Sequence, residues 1–287
     1  MQIEPLVDFN NAKSFLLPYE PFCVQLASCV RRGSDSLFVI KDEKKDDATR
    51  GIIYAKGTFL HCIPSLKDCG DSFSQVLSPF LCNRSVKCIN GSLTESEILK
   101  EMLLSAGKNE KGEEIKPYQT NRYILMTLTP ADYLAPAESS LANDDEIRRL
   151  ANPQHDSDLI FDLQKNYVKE EVAPAGKNPG DMEINLVLRQ IIKNQLCLAL
   201  FSDGEAVAKV NTNAIGWNCV QIGGLYTHPL YRRNGYAYQL LYNLCRRILR
   251  AGKTAVLYVK EKNSSALTLY KKIGFKEVGK FEIAYFE

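Results

Sequence analysis

Apolar positions along the chain switch repeatedly between the two-residue period of a strand and the 3.6-residue period of a helix. The second half shows this most sharply. Glu146–Leu150 reads as a short strand. Asp156 or Ser157 can cap a helix running to about Val172, with Leu159, Ile160, Leu163 and Tyr167 on one face. Asp181 can cap a second helix, with Ile184, Leu188, Ile191 and Ile192 at helical spacing. A three-strand meander follows: Leu196–Phe201, a turn at Asp203-Gly204, then Glu205–Asn211 and Val220–Thr227. After Arg232-Arg233-Asn234-Gly235, the stripe Ala237, Leu240, Leu241, Leu244 and Ile248 predicts a helix that Gly252 ends. Thr254–Val259 is almost continuously apolar, as in a strand buried on both faces. Asn263 and Ser264 open a last helix, with Ala266, Leu269, Tyr270 and Ile273 on one side and Gly274 closing it. Two final strands are predicted at Phe275–Val278 and Phe281–Phe286. The order β-α-α-β-β-β-α-β-α-β-β predicts an α/β (α+β) fold with a mixed sheet and helices on both faces.

The first half gives a fainter version of this order. Phe9 to Arg31 is largely helical with a break near Pro18, and Leu37–Ile40 and Ile52–Ala55 form a hairpin around the charged run Asp42 to Asp47. Then come a strand at Phe59–Ile63, a helix at Ser72–Phe80, a strand at Val86–Ile89, a helix at Glu95–Leu104 and a strand at Arg122–Leu128. Ala131 to Asp145 is rich in Ala, Ser, Pro and acids and reads as a linker. We therefore expect two domains, residues 1–135 and 144–287, with the boundary near 131–144 and a duplication of fold between them.

Composition narrows the function classes. The 287 residues carry a net charge of +2, and no basic stripe interleaves with aromatic residues, which argues against a nucleic-acid partner. No run approaches a membrane span, and the opening residues lack a basic flank followed by an apolar run, so a cytoplasmic protein is expected. The nine cysteines include no CxxC pair, and the three histidines are scattered. Buried thiols in a reducing compartment are the expectation, with no metal site.

A strand, a glycine-containing turn and a helix together make an anion site. The first amides of a helix lack intrahelical partners, and its dipole adds positive potential there. Gly235 and Ala237 let a ligand approach the backbone, and Arg232 and Arg233 add cationic donors. A diphosphate suits such a turn.

The segment Leu225 to Ala237 (LYTHPLYRRNGYA) resembles the central motif of the GNAT superfamily of N-acetyltransferases, Gln/Arg-x-x-Gly-x-Gly/Ala, met here by Arg232, Gly235 and Ala237. Asn263 to Phe275 resembles the family's downstream Asn-x-x-Ala-x-x-Leu-Tyr-x-x-x-Gly-Phe stretch. The resemblance covers about residues 145–287 and implies a GNAT fold there, with acetyl-CoA as co-substrate. It implies that the backbone of Leu225, Tyr226 and Thr227 pairs with the pantetheine arm. The amides of Arg233, Asn234, Gly235, Tyr236 and Ala237, beside Arg232, would hold the pyrophosphate. Asn263 would contact the cofactor or position the following helix, and Tyr270 would be the general acid that protonates the departing thiolate.

No motif marks the general base. Glu205 is the tentative choice, with Glu170 and Glu171 as other carboxylates, and His228 and its neighbour Pro229 read as structural. Arg246, Arg247, Arg250 and Lys253 read as a solvated helix face, one of them a candidate for the CoA 3′-phosphate. The first half lacks the Arg/Gln-x-x-Gly-x-Gly/Ala turn; Lys67 to Ser72 is the nearest equivalent. A degenerate GNAT-like domain without productive CoA binding is the expectation there. The acceptor is an amine of a small molecule or a protein. A non-catalytic acyl-CoA sensor, or a transferase using another acyl-CoA, remains open.

Overall fold

A computed structural model of the chain describes residues 1–44, 47–68, 70–105, 107–108, 112, 114–133, 147–172 and 179–287. The elements are β1 (Gln2–Pro5), α1 (Phe9–Leu16), α2 (Val24–Arg31), β2 (Leu37–Asp42), β3 (Ala48–Lys56), β4 (Thr58–Cys62), α3 (Gly70–Cys82), β5 (Cys88–Ser92), α4 (Leu93–Ser105) and β6 (Pro117–Leu128). They continue with β7 (Ile147–Leu150), α5 (Asp156–Tyr167), α6 (Asp181–Asn194), β8 (Cys197–Ser202), β9 (Glu205–Ile215), β10 (Cys219–Thr227), α7 (Tyr236–Arg250), β11 (Thr254–Lys260), α8 (Ser264–Ile273) and β12 (Lys276–Phe286). A 3-10 segment, Leu17–Phe22, joins α1 to α2 around Pro18, and a π-helical turn, Val168–Val172, extends α5. The linker expected at 131–145 lies largely outside the described residues.

All the strands form a 12-stranded sheet in the order β1-β2-β3-β4-β5-β12-β6-β11-β10-β9-β8-β7. The order reads the same way from both ends. Each half contributes a meander, then a parallel contact (β4 with β5, β10 with β11). Each half's last strand crosses over: β12 lies between β5 and β6, and β6 lies between β12 and β11. Tyr123 of β6 thus has Lys260 on one side and Phe281 on the other.

Alternation along the strands sends side chains to separate cores. Leu198, Leu200 and Leu257 pack with Leu240, Leu244 and Ile273 under α7 and α8, while Cys197, Ala199 and Phe201 pack with Ile160, Leu163, Leu188 and Ile192 under α5 and α6. In the first half α3 and α4 cover Ile40, Ile53 and Phe59, and α1 and α2 cover Val39, Ile52 and Leu60. Val24 of α2 joins Leu125, Val256 and Ala214, so that helix spans both halves.

Two buried carboxylates also make contacts that cross between the halves. Fully buried Glu20, in the 3-10 segment, accepts from the amides of Asn218 (3.1 Å) and Cys219 (3.2 Å) at the β9–β10 turn. Buried Glu282 of β12 pairs with Lys100 of α4 at 2.8 Å and Arg122 of β6 at 3.5 Å.

Several details differ from the expectations, among them β1, a strand before Phe9 that the sequence pattern does not mark. The two final strands are one, β12, with a bulge between Glu277 and Gly279. The apparent break is Gly279, which lies against Phe22: a Cβ there would come within 2.7 Å of that ring. Asp181 is the first residue of α6, with Gly180 as its cap. Asp156 is inside α5, and its carboxylate accepts from the amides of Ala151 and Asn152.

Candidate functional site

β10 and β11 pair in parallel from Cys219 with Thr254 to Ile222 with Leu257. Past that point no pairing joins them, although β10 runs on to Thr227 and β11 to Lys260. The two strands therefore splay and leave a backbone edge of β10 without a strand partner. A bulge at Gly223/Tyr226 drives the divergence. It also reverses the side-chain alternation. Ile222 packs with the α7 cluster, yet Tyr226, four residues on, packs with the α5–α6 cluster. Gly224 has φ +62°, and a Cβ there would lie 2.0 Å from the Asn211 side chain and 2.8 Å from Lys209 Nζ. Only glycine fits this position.

The chain then passes through a short 3-10 turn, Pro229–Tyr231, into the loop before α7. Arg233 has φ +70° and Gly235 φ +81°, two left-handed residues on either side of Asn234. Among the described residues, no backbone carbonyl accepts from the amides of Arg233 to Ala237. A Cβ built on Gly235 would meet nothing within 4 Å, so the loop faces open space. Free donors at a helix start can bind an anion.

Arg232 faces another way. Its Nη2 donates to Glu170 Oε2 at 2.8 Å and its Nε to the Thr227 carbonyl at 3.1 Å. Tyr226 Oη donates to the other Glu170 oxygen at 2.5 Å. Burial pushes the Glu170 carboxyl up, but those two hydrogen bonds outweigh it and hold it below its ordinary value. Burial also pushes the Tyr226 phenol up to about 12. The π-helical turn is thereby latched to the anion loop.

Tyr270, on α8, comes close enough to Tyr167 and Glu171 for their charges to act on it, and burial raises its pKa above the ordinary phenol value. Among the described residues no group hydrogen-bonds its hydroxyl. Glu171 is held by Lys260, whose Nζ lies 2.7 Å from its carbonyl oxygen and 3.4 Å from its carboxylate. Tyr123, from the first half, is also within electrostatic reach of Tyr167 and Glu171, and burial raises its pKa. Three phenols, Tyr123, Tyr167 and Tyr270, and the Glu171 carboxylate therefore come near one another from both halves.

Asn263 caps α8, its side chain accepting from the Ala266 amide at 3.1 Å. Glu205 is exposed at the β8–β9 hairpin, opposite Ser202, and nothing among the described residues ties it to the cleft. The carboxylates there are Glu170 and Glu171. His228 packs edge-on against Tyr231, their ring centroids 5.7 Å apart. Lys253 donates to the carbonyls of Gly216 and Trp217, at 2.9 and 2.6 Å, rather than standing in solvent. Tyr167, Lys209, Lys260 and Tyr123 carried no motif. The available signal was Lys209 itself, a charge inside the apolar run Ala206–Val210. Among the described residues no cluster of His, Cys, Asp or Glu could hold a metal ion, and no helix is long and apolar enough to cross a membrane.

In the first half, β4 and β5 pair in parallel from Thr58 with Cys88 to Leu60 with Asn90. The His61 ring fills the space beside them, 2.2 Å from where a Cβ of Gly91 would stand, and its Nε2 lies 2.9 Å from Ser96 Oγ. Burial lowers the His61 pKa to about 3, so the ring is neutral.

Residues 200–283 match the FR47-like protein family. None of the curated protein sequences is significantly similar to the chain. Solved structures are. A Drosophila protein superposes with a TM-score of 0.66 at 14% identity, covering 99% of this chain and 98% of that one. A GNAT-family acetyltransferase from Colwellia psychrerythraea gives 0.53 at 12% identity, covering 100% and 99%. A GCN5-related N-acetyltransferase from Sphaerobacter thermophilus gives 0.52 at 13%, covering 98% and 94%. The chain has the GNAT fold. These superpositions run the length of the chain, so both halves of the sheet belong to the matched architecture. The FR47-like match falls on the part of the GNAT fold that holds the splayed strands, the anion loop and Tyr270.

Proposed function

We propose that the protein is an acetyl-CoA-dependent N-acetyltransferase whose active site lies in the second half. The observation that carries this reading is the pairing of two features: the free β10 edge beyond Ile222 and the unpartnered amides of Arg233 to Ala237. An extended pantetheine arm suits the first, with Leu225, Tyr226 and Thr227 presenting backbone groups. A pyrophosphate suits the second. The ~13 Å that separates Gly223 from Thr227, at ~3.3 Å per residue, is long enough for a pantetheine arm to lie along.

The acceptor nitrogen attacks the thioester carbonyl, the C–N bond forms and the C–S bond breaks. The nitrogen's proton passes to a base, and the sulfur takes one from an acid. Tyr270 is our choice of acid: burial keeps its phenol protonated, and its hydroxyl is unengaged. Glu171 replaces Glu205 as our choice of base, because Glu171 is beside Tyr270 and Tyr167 whereas Glu170 is tied up by Arg232 and Tyr226. Asn263 acts by fixing the start of α8. Residues 1–135 are read as a degenerate copy of the 144–287 domain, and the His61 ring packed over Gly91 supports its lack of a CoA site.

Calorimetric titration with acetyl-CoA, followed by thiol release with a panel of amines, tests the reading. We expect one site per chain and amine-dependent release. One site with no turnover on any amine or with any acyl chain would favour a sensor, and absence of binding would sink the proposal.

A further inference from the structure

Lys209 is fully buried on β9, and no carboxylate pairs with it among the described residues. Its Nζ donates to the Gly224 carbonyl at 2.7 Å and to Asn211 Oδ1 at 3.3 Å, and it lies 4.7 Å from the centre of the Tyr167 ring. Burying an ammonium without a counterion is costly, and an apolar side chain of similar length would fill the same volume at lower cost. The cost is taken at one point of the backbone, the bulge that opens the cleft.

Gly224 C=O and Leu225 N–H belong to the same peptide unit. That peptide is trans, so the two groups point in opposite directions. A cation drawing electron density from the carbonyl makes the attached N–H a stronger donor, because hydrogen bonds along a chain polarise one another. The same contact fixes the turned peptide, whose glycine has φ +62°. Leu225 is the first residue of the free edge after the bulge.

We propose that Lys209 is a positioning residue: it clamps and polarises the Gly224–Leu225 peptide so that the Leu225 amide donates to the acyl carbonyl oxygen of the bound thioester. The proposal rests on the acyl-CoA reading above. As the tetrahedral intermediate forms, negative charge grows on that oxygen, and a preoriented amide stabilises it without reorganising. The ammonium touches neither thioester nor acceptor; it acts through one peptide bond.

Infrared spectroscopy of acetyl-CoA labelled with carbon-13 at the carbonyl reads this directly. In the wild type the bound carbonyl stretch is expected at lower frequency than free acetyl-CoA. In Lys209→Met it should move back toward the free value while acetyl-CoA affinity holds within about threefold, since the pyrophosphate loop is untouched. If Lys209→Met does not fold, Lys209→Gln keeps a neutral donor and should give an intermediate frequency. A wild-type frequency in a folded variant that binds acetyl-CoA would overturn the proposal and leave the donor reading standing. No binding by the wild type would overturn both.

Discussion

At the scale of single residues, the site combines left-handed backbone, buried phenols and a buried ammonium. Gly235→Val puts a β-branched side chain at φ +81°, a strain of about 1–2 kcal/mol on the loop itself, and fills the open space before the amides. We expect acetyl-CoA affinity to fall by at least about tenfold by calorimetry, with little change in Tm, because the clash is with ligand rather than core. Tyr270→Phe removes the proposed acid, and amine-dependent thiol release should drop by roughly 10²-fold with acetyl-CoA binding unchanged. Lys209 makes a pH prediction. Its pKa falls from 10.5 to about 8, chiefly through burial. The folded state therefore resists protonation where the unfolded chain accepts it. That penalty is full below pH 8 and vanishes as pH rises through 10.5. Relative to wild type, Lys209→Met should lose about 3 kcal/mol of stability advantage across that window, at ~1.4 kcal/mol per unit, in denaturant unfolding at stepped pH.

At the scale of elements, the β9–β10 turn depends on a residue some two hundred positions away in the chain. Glu20→Ala would leave the buried Cys219 amide and the half-exposed Asn218 amide without this acceptor, at a cost of about 1–3 kcal/mol in urea unfolding, and Glu20→Gln, which keeps one acceptor oxygen, should cost less. The elements themselves were largely legible. Caps and stops such as Asn263, Gly252 and Gly274 stand where the sequence predicts them, because helix ends are specified locally. The sequence pattern predicts two strands, Phe275–Val278 and Phe281–Phe286, where the protein has one. What decides otherwise is the Phe22 ring over Gly279, a contact that periodicity does not encode. The proposed base carries no motif for a similar reason: Glu171 stands out only through its neighbours Tyr270 and Lys260, which arrive from distant segments.

At the scale of the whole molecule, the doubling of the strand order was visible in the sequence, but the crossing of β6 and β12 was not. Both are amphipathic strands with ordinary edges, and their choice of partner is a tertiary fact. The crossing predicts that residues 144–287 expressed alone would leave β11 without β6 and β12 without either partner. Such a fragment should be aggregated or expanded by size exclusion and circular dichroism, and should recover native-like strand content when mixed with residues 1–135. A monomeric, cooperatively folded fragment that binds acetyl-CoA would contradict this.

The crossed strands also bear on how the protein is made. Of the described elements β12 is synthesised last, yet its place is between β5 and β6, both of which leave the ribosome more than a hundred residues earlier. Until β12 and β11 arrive, the first half has an open slot beside β5, and β6 is unpaired on both of its edges. Those edges are exposed to misassociation for as long as translation takes, at ~5–20 residues per second roughly ten to thirty seconds. A chaperone bound over that slot would have to leave in step with the appearance of the final strand, which makes this a protein whose yield should depend on elongation rate.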